Sequence, residues 1–306
     1  MRRHVLACIA LLFACDEGVP LIQGVDEPIR VHGAQFIPGP LPVGTATKPT
    51  VTSVLLTNNE VGYGEANKAF SGRATDDGTA VALRLADLGS GYWLLPLGPA
   101  DVQFPNELTW QVSADFAAQA GAQSPGHHAL RYVAVDGAGT AGPPYDVDVC
   151  FDPQIPDNGA LCNPSRTAPY AVLTLTWDVD ADVDLVVVGP SRTTDPKHPT
   201  TIPPDAGVLD PTSGKLDRDS LNGCVKDGLR QEDLIWQSPP TGITFDVYAN
   251  LFSACGQRGV SYEVTLYVFT GTTPVAQKTA KGIFTSYDAN GGATPPPGTY
   301  LFSYTF

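Results

Sequence analysis

The greatest chemical potential in this sequence lies in its aspartates. Asp178, Asp180, Asp182 and Asp184 alternate with Val179, Ala181 and Val183 directly after Trp177. Asp217 and Asp219 follow in the stretch Leu216-Asp217-Arg218-Asp219-Ser220-Leu221-Asn222-Gly223. Side chains two apart on an extended strand share one face at roughly 6.6 Å. Carboxylates so placed repel one another unless water or a cation screens them. That repulsion predicts a turn over Val179–Val183, with some aspartate oxygens converging. Oxygen donors in this number suit Ca²⁺, which takes roughly six to eight of them. One expectation is therefore a single calcium site built from Asp182, Asp184, Asp217 and Asp219. The other is a solvated acidic hairpin whose aspartates serve turn geometry. The second segment departs from the EF-hand pattern, because Leu221 stands in the fifth position and the glycine comes late.

Other chemistries find less support. Beyond His4, the histidines are His32, His127, His128 and His198. None belongs to an H-E-x-x-H helix, and no G-x-S-x-G elbow or glycine-rich phosphate loop is present. Paired aspartates could serve glycoside hydrolysis, but the acid of such a pair needs a partly apolar pocket to raise its pKa. A hydrolase is thus only a third reading, and the chain is expected not to be an enzyme. Tyr92-Trp93 beside Gly89-Ser90-Gly91 offers either a sugar-stacking platform or a core residue, with the core favoured. Basic residues interleaved with aromatics are missing, which argues against nucleic acid.

The start of the chain addresses location. Arg2 and Arg3 precede an apolar run from Val5 to Ala14, too short for a bilayer-spanning helix and typical of a secretory signal over residues 1–14. Leu12-Phe13-Ala14-Cys15 resembles the lipobox of bacterial lipoproteins. The resemblance implies acylation of Cys15, a membrane partner through the lipid, and a place in the bacterial cell envelope, periplasmic or on the surface. An ordinary cleaved signal followed by a coincidental cysteine is the competing reading. Four further cysteines, Cys150, Cys162, Cys224 and Cys255, fit an oxidising compartment. Four cysteines allow three connectivities; pairing Cys150–Cys162 and Cys224–Cys255 keeps each bridge within one expected unit. Without Arg2 and Arg3 the chain has 16 basic and 32 acidic residues, a formal charge of −16. Such a field disfavours nucleic acid and anionic lipid head groups.

These residues need elements to hold them. Charged residues are only 16% of the 306, while 31 glycines and 28 prolines punctuate the chain, so many short strands are expected rather than long helices. Residues 15–50 read as a lipid-anchored tether, with one short strand available between Ile29 and Ile37. Residues 51–150 read as a first β-sandwich, in which Leu108, Trp110 and Val112 share a face, as do Leu130, Tyr132 and Ala134. Residues 151–167 form a disulfide-stapled connector. Residues 168–306 read as a second sandwich with acidic loops, on the alternation of Leu173, Leu175 and Trp177, of Phe245, Val247 and Ala249, and of Tyr262, Val264, Leu266 and Val268. Tyr300, Phe302, Tyr304 and Phe306 alternate in the last strand and are expected to lie together in the core.

Two resemblances follow from these motifs. Tyr132-Val133-Ala134-Val135-Asp136-Gly137-Ala138-Gly139 resembles the last-strand region of bacterial Ig-like surface modules. Trp177-Asp178 with Asp182-Val183-Asp184-Leu185, Gly189-Pro190, Leu216 to Ser220, Asp227-Gly228 and Ile235-Trp236 resembles a YfaP-type β-sandwich module of exported bacterial proteins, over about 140 residues. That likeness implies a fold and an exported setting, with no defined activity. The expectation is an all-β protein of two tandem sandwiches acting as a non-catalytic binding or structural module. Its alternative is a calcium-dependent accessory protein with a carbohydrate or protein ligand.

Overall fold

The computed structural model describes residue 24 and residues 27–44, 46–116, 125–291 and 297–306. Residues 1–14, expected to be a signal segment, and Cys15 lie outside the described residues. Among the described residues the regular structure is β-strand with two short 3-10 turns and no α-helix, as the density of turn residues and β-branched runs dictates. None of these residues forms a helix long and apolar enough to cross a membrane.

The first ten strands are β1 (Ile29–Val31), β2 (Gln35–Pro38), β3 (Val51–Leu56), β4 (Glu60–Val61), β5 (Lys68–Thr75), β6 (Ala80–Leu85), β7 (Gly91–Pro96), β8 (Glu107–Phe116), β9 (Gly126–Val135) and β10 (Tyr145–Phe151). They form a four-stranded sheet, β1-β8-β5-β3, and a six-stranded sheet, β2-β7-β6-β9-β10-β4. The core between them includes Leu83, Trp93, Trp110, Leu130, Tyr132 and Phe151. Trp93 is thus a core residue and no platform: its indole donates to the Ile29 carbonyl at 2.7 Å. The expected tether is shorter than 15–50, because β1 and β2 belong to these sheets. Ile29 and Val31 flank an exposed Arg30 and bury their side chains in the core, and that apolar gain turns the segment into an edge strand.

The remaining strands are β11 (Ala171–Trp177), β12 (Asp182–Val188), β13 (Thr193–Thr194), β14 (Gly214–Leu216), β15 (Gln231–Trp236), β16 (Thr244–Ser253), β17 (Gly259–Thr270), β18 (Thr273–Thr285) and β19 (Thr299–Thr305). Their sheets are β14-β15-β11-β17-β18 and β13-β12-β16-β19. Alternation puts Leu173, Leu175 and Trp177 of β11 opposite Val183, Leu185 and Val187 of β12 in one buried cluster. In β19, Phe302 is buried but Tyr300 is exposed, against the alternation in the sequence. Leu301 has no partner in the β16 ladder, so a bulge reverses the facing of everything before it. Leu301 turns toward the core, and Tyr300 packs edge-on against Tyr248 outside it.

The strands of each half pair only among themselves, and each half has its own core. Both expected disulfides are present, Cys150–Cys162 and Cys224–Cys255. The first closes the connector, which is fastened further by the Arg166–Glu60 ion pair to β4 and by Asn158 bonded to Gln237 at 2.8 Å.

Candidate metal centre

The aspartate run divides at Ala181. Asp178 and Asp180 lie in the bend before β12, and the strand begins at Asp182, so the turn is shorter than the expected Val179–Val183. Asp180 pairs with Lys226 at 2.6 Å and Arg230 at 3.0 Å, which hold its carboxyl below the usual carboxylate range. Asp178 accepts the Ser261 N–H at 2.9 Å. Neither belongs to the group of carboxylates that converges.

Asp182 and Asp184 share the face of β12 opposite to Val183 and Leu185. Asp219 reaches them from the loop after β14. One oxygen from each of the three lies within 4.8 Å of the others. Asp182 accepts the Gly223 N–H at 2.7 Å, Asp184 the Asn250 side-chain amide at 3.1 Å, and Asp219 the Asn222 amide at 2.7 Å. These donors are all neutral. Burial pushes Asp182 up to about 6 and Asp184 up to about 7, and Asp219 repels both. Asp219 is itself raised, first by burial and then by Asp227.

Asp217, the fourth expected ligand, is not part of this group. It begins the turn after β14, where its Oδ1 accepts the Asp233 N–H at 2.9 Å and its Oδ2 takes Arg218 at 2.6 Å. Alternation explains the separation. Leu216 is drawn into the core, and the following residue stays in the ladder register of β15 before the chain turns away toward Asp219.

A fourth acid does lie beside the group. Glu232 is fully buried, on the core face of β15 between Leu234 and Leu175. Its carboxylate accepts the Leu185 N–H at 2.7 Å and the Ser220 N–H at 3.3 Å, tying β12 and the Asp219 loop to β15. Burial drives its pKa well up, and Asp184 and Asp219 raise it further. The signal in the sequence is Gln231-Glu232-Asp233 opening the apolar run Leu234-Ile235-Trp236, a place where a strand reading expects apolar residues. The loop itself turns sharply: Leu221, Gly223 and Cys224 all have positive φ, which costs the non-glycine residues roughly 1–2 kcal/mol each. Cys224–Cys255 and the buried Leu221 side chain hold it in place.

Among the described residues the histidines pair with aspartates rather than with one another: His32 with Asp115, His127 with Asp148, His128 with Asp87 and His198 with Asp195. The sequence did not foretell that His32 Nδ1 also lies 3.1 Å from Ser113 Oγ, completing an Asp–His–Ser chain across β1 and β8. Ser113 sits in mid-strand, paired with Ala69 on one side and accepting the His32 N–H on the other. Backbone groups of such a residue serve the sheet ladder and do not converge on an oxyanion, which acyl transfer requires. The chain of three therefore reads as surface hydrogen bonding.

No family model matches the chain, and no curated protein matches it. Among solved structures, one described as the complete manganese lipoxygenase of Gaeumannomyces graminis with a partial zonadhesin of Komagataella pastoris is 13% identical, with a TM-score of 0.21, covering 79% of this chain and 95% of that one. Another, the purple acid phosphatase PPD1 of yellow lupin, is 10% identical with a TM-score of 0.21, covering 74% of this chain and 40% of that one. Likenesses at this level carry no argument about fold or function.

Proposed function

We propose that the chain is a non-catalytic binding module of the bacterial cell envelope, two tandem β-sandwiches held to a membrane through acylated Cys15, and that Asp182, Asp184 and Asp219 bind one calcium ion. The observation that carries the metal reading is the convergence of three carboxylates from two segments, bonded only to neutral donors. Three mutually repelling acids, with the buried Glu232 beside them, gain most from a divalent cation, which needs oxygen donors and offsets their charge. The two disulfides support the exported setting.

Calorimetric titration of Ca²⁺ into the full chain tests the centre. One site is expected, abolished by Asp182→Asn with Asp184→Asn. Absence of heat together with an unchanged melting temperature in millimolar Ca²⁺ overturns the metal reading. For the anchor, a clickable palmitate analogue fed to the expressing cell should label the protein and leave Cys15→Ser unlabelled.

A further inference from the structure

A cleft of about 430 Å³ opens where the first half, the connector and the second half meet, bordered by Tyr63, Asp152, Gln154, Arg166, Arg218 and Asp233. Its charges do not balance. Arg166 is engaged by Glu60 through both terminal nitrogens, at 3.0 and 2.9 Å, and Arg218 by Asp217. Glu65 is neutralised by Lys68 at 3.1 Å. Asp152 has no such partner, and its Oδ1 is buried without a hydrogen bond. Asp233 is wholly buried at the cleft wall; Gln231 donates to its Oδ2 at 2.8 Å, while Oδ1 has no donor in bonding geometry. The Thr174 hydroxyl across the strand pair favours the charge on Asp233 without closing that bond.

We infer that this cleft binds an aliphatic ammonium compound, with Asp152 and Asp233 receiving the cation. A buried carboxylate oxygen with no donor is costly, and a ligand bringing N–H donors with positive charge removes that cost. The local field agrees: burial pushes Asp152 up to about 6, and Glu60, Asp157 and Glu65 add repulsion that Arg166 only partly offsets. A bare metal ion suits the cleft poorly. Among the described residues only Asp182, Asp184 and Asp219 bring three candidate ligand atoms within 4.8 Å, so no three acids of the cleft converge on one point. The volume falls within the ordinary range for a small organic ligand, roughly 300–1,000 Å³.

Cadaverine, with an ammonium at each end of a five-carbon chain, is the probe, and 1,5-pentanediol is its uncharged match. Titrated into the full chain, cadaverine should bind while the diol does not. Asp152→Asn should weaken cadaverine at least about tenfold, which is about 1.4 kcal/mol, with an unaltered melting temperature. Should that variant misfold, amide shifts in the unaltered protein decide: cadaverine should move resonances near residues 152–154 and 231–233. Absence of cadaverine binding, equal binding of the diol, undiminished binding by a folded Asp152→Asn, or shifts confined elsewhere would each overturn the inference. Calcium binding at the separate carboxylate centre is unaffected by any of these outcomes.

Discussion

Gly223 donates its backbone N–H to Asp182 at 2.7 Å across 41 residues of chain, one residue before the cysteine that bridges to Cys255. The second disulfide thus fixes the loop that brings Asp219 to β12, whereas Cys150–Cys162 lies in the connector. Replacing Cys224 and Cys255 by serine should lower stability by about 2–4 kcal/mol and weaken Ca²⁺ binding at least several-fold. Replacing Cys150 and Cys162 should cost similar stability but leave the calcium affinity unchanged. Equal calcium affinity in both double variants, measured by titration, would separate the bridge from the site.

The pH dependence follows from the acids whose pKa values are raised. In the unfolded chain Asp182 and Asp184 ionise near the ordinary aspartate value, whereas in the fold they do so at about 6 and about 7. Their contribution is fully present below the unfolded pKa and is lost as pH rises through the folded values. For Asp184 the loss is at most about 4 kcal/mol. In EDTA the urea midpoint should therefore be higher at about pH 5 than at about pH 8, and Ca²⁺ should restore it at the higher pH. Asp182→Asn with Asp184→Asn should flatten part of this slope, leaving the part that Asp152, Asp219, Glu232 and Asp233 contribute. An unchanged slope in that double variant refutes the assignment.

Glu232 tests the polar bridge between the sheets. Glu232→Ala strands the Leu185 and Ser220 N–H groups, each costing about 1–3 kcal/mol. Glu232→Gln retains an acceptor for one of them and removes an ionisable acid next to Asp184 and Asp219, so it should be the milder change. Chemical denaturation of the two variants gives the order directly; an alanine variant as stable as the glutamine one contradicts the bridge.

The bulge in β19 makes a sharper distinction between two neighbouring aromatics. Phe302→Ala, in the core, should cost about 3–5 kcal/mol, whereas Tyr300→Ala, exposed beside Tyr248, should cost less than about 1 kcal/mol. Comparable losses in denaturant midpoint would mean that the bulge is misplaced.

Much of this was legible in the sequence, and the failures have physical causes. Alternation identified the inward faces of β11, β16 and β17 because no extra residue falls within Leu173–Trp177, Phe245–Ala249 or Tyr262–Val268; the ladder shifts fall on Leu301 and Gln277 of partner strands and on Phe252 near the end of β16. It failed at Tyr300, because a single unpaired residue reverses facing and leaves no compositional mark. Local cysteine spacing foretold both bridges. Of the four aspartates expected to converge, Asp182, Asp184 and Asp219 do so. Asp217 does not, since its separation from Asp219 depends on where the chain leaves the β15 ladder, a tertiary fact. Glu232 was passed over because one acid inside an apolar strand finds its reason only in N–H groups from distant segments. The Asp115–His32–Ser113 chain was invisible for the same reason: its histidine and serine are 81 residues apart.

The incorporation of Ile29–Val31 into the first sheet would limit how far a chain anchored through Cys15 could stand from a bilayer. An acylated Cys15 would leave fourteen residues to the first core residue, a leash of about 50 Å at full extension. A linker running to residue 50 would have had more than twice that reach. The first half would then work within sight of the lipid surface, and any partner would have to be met there rather than deep in the surrounding space.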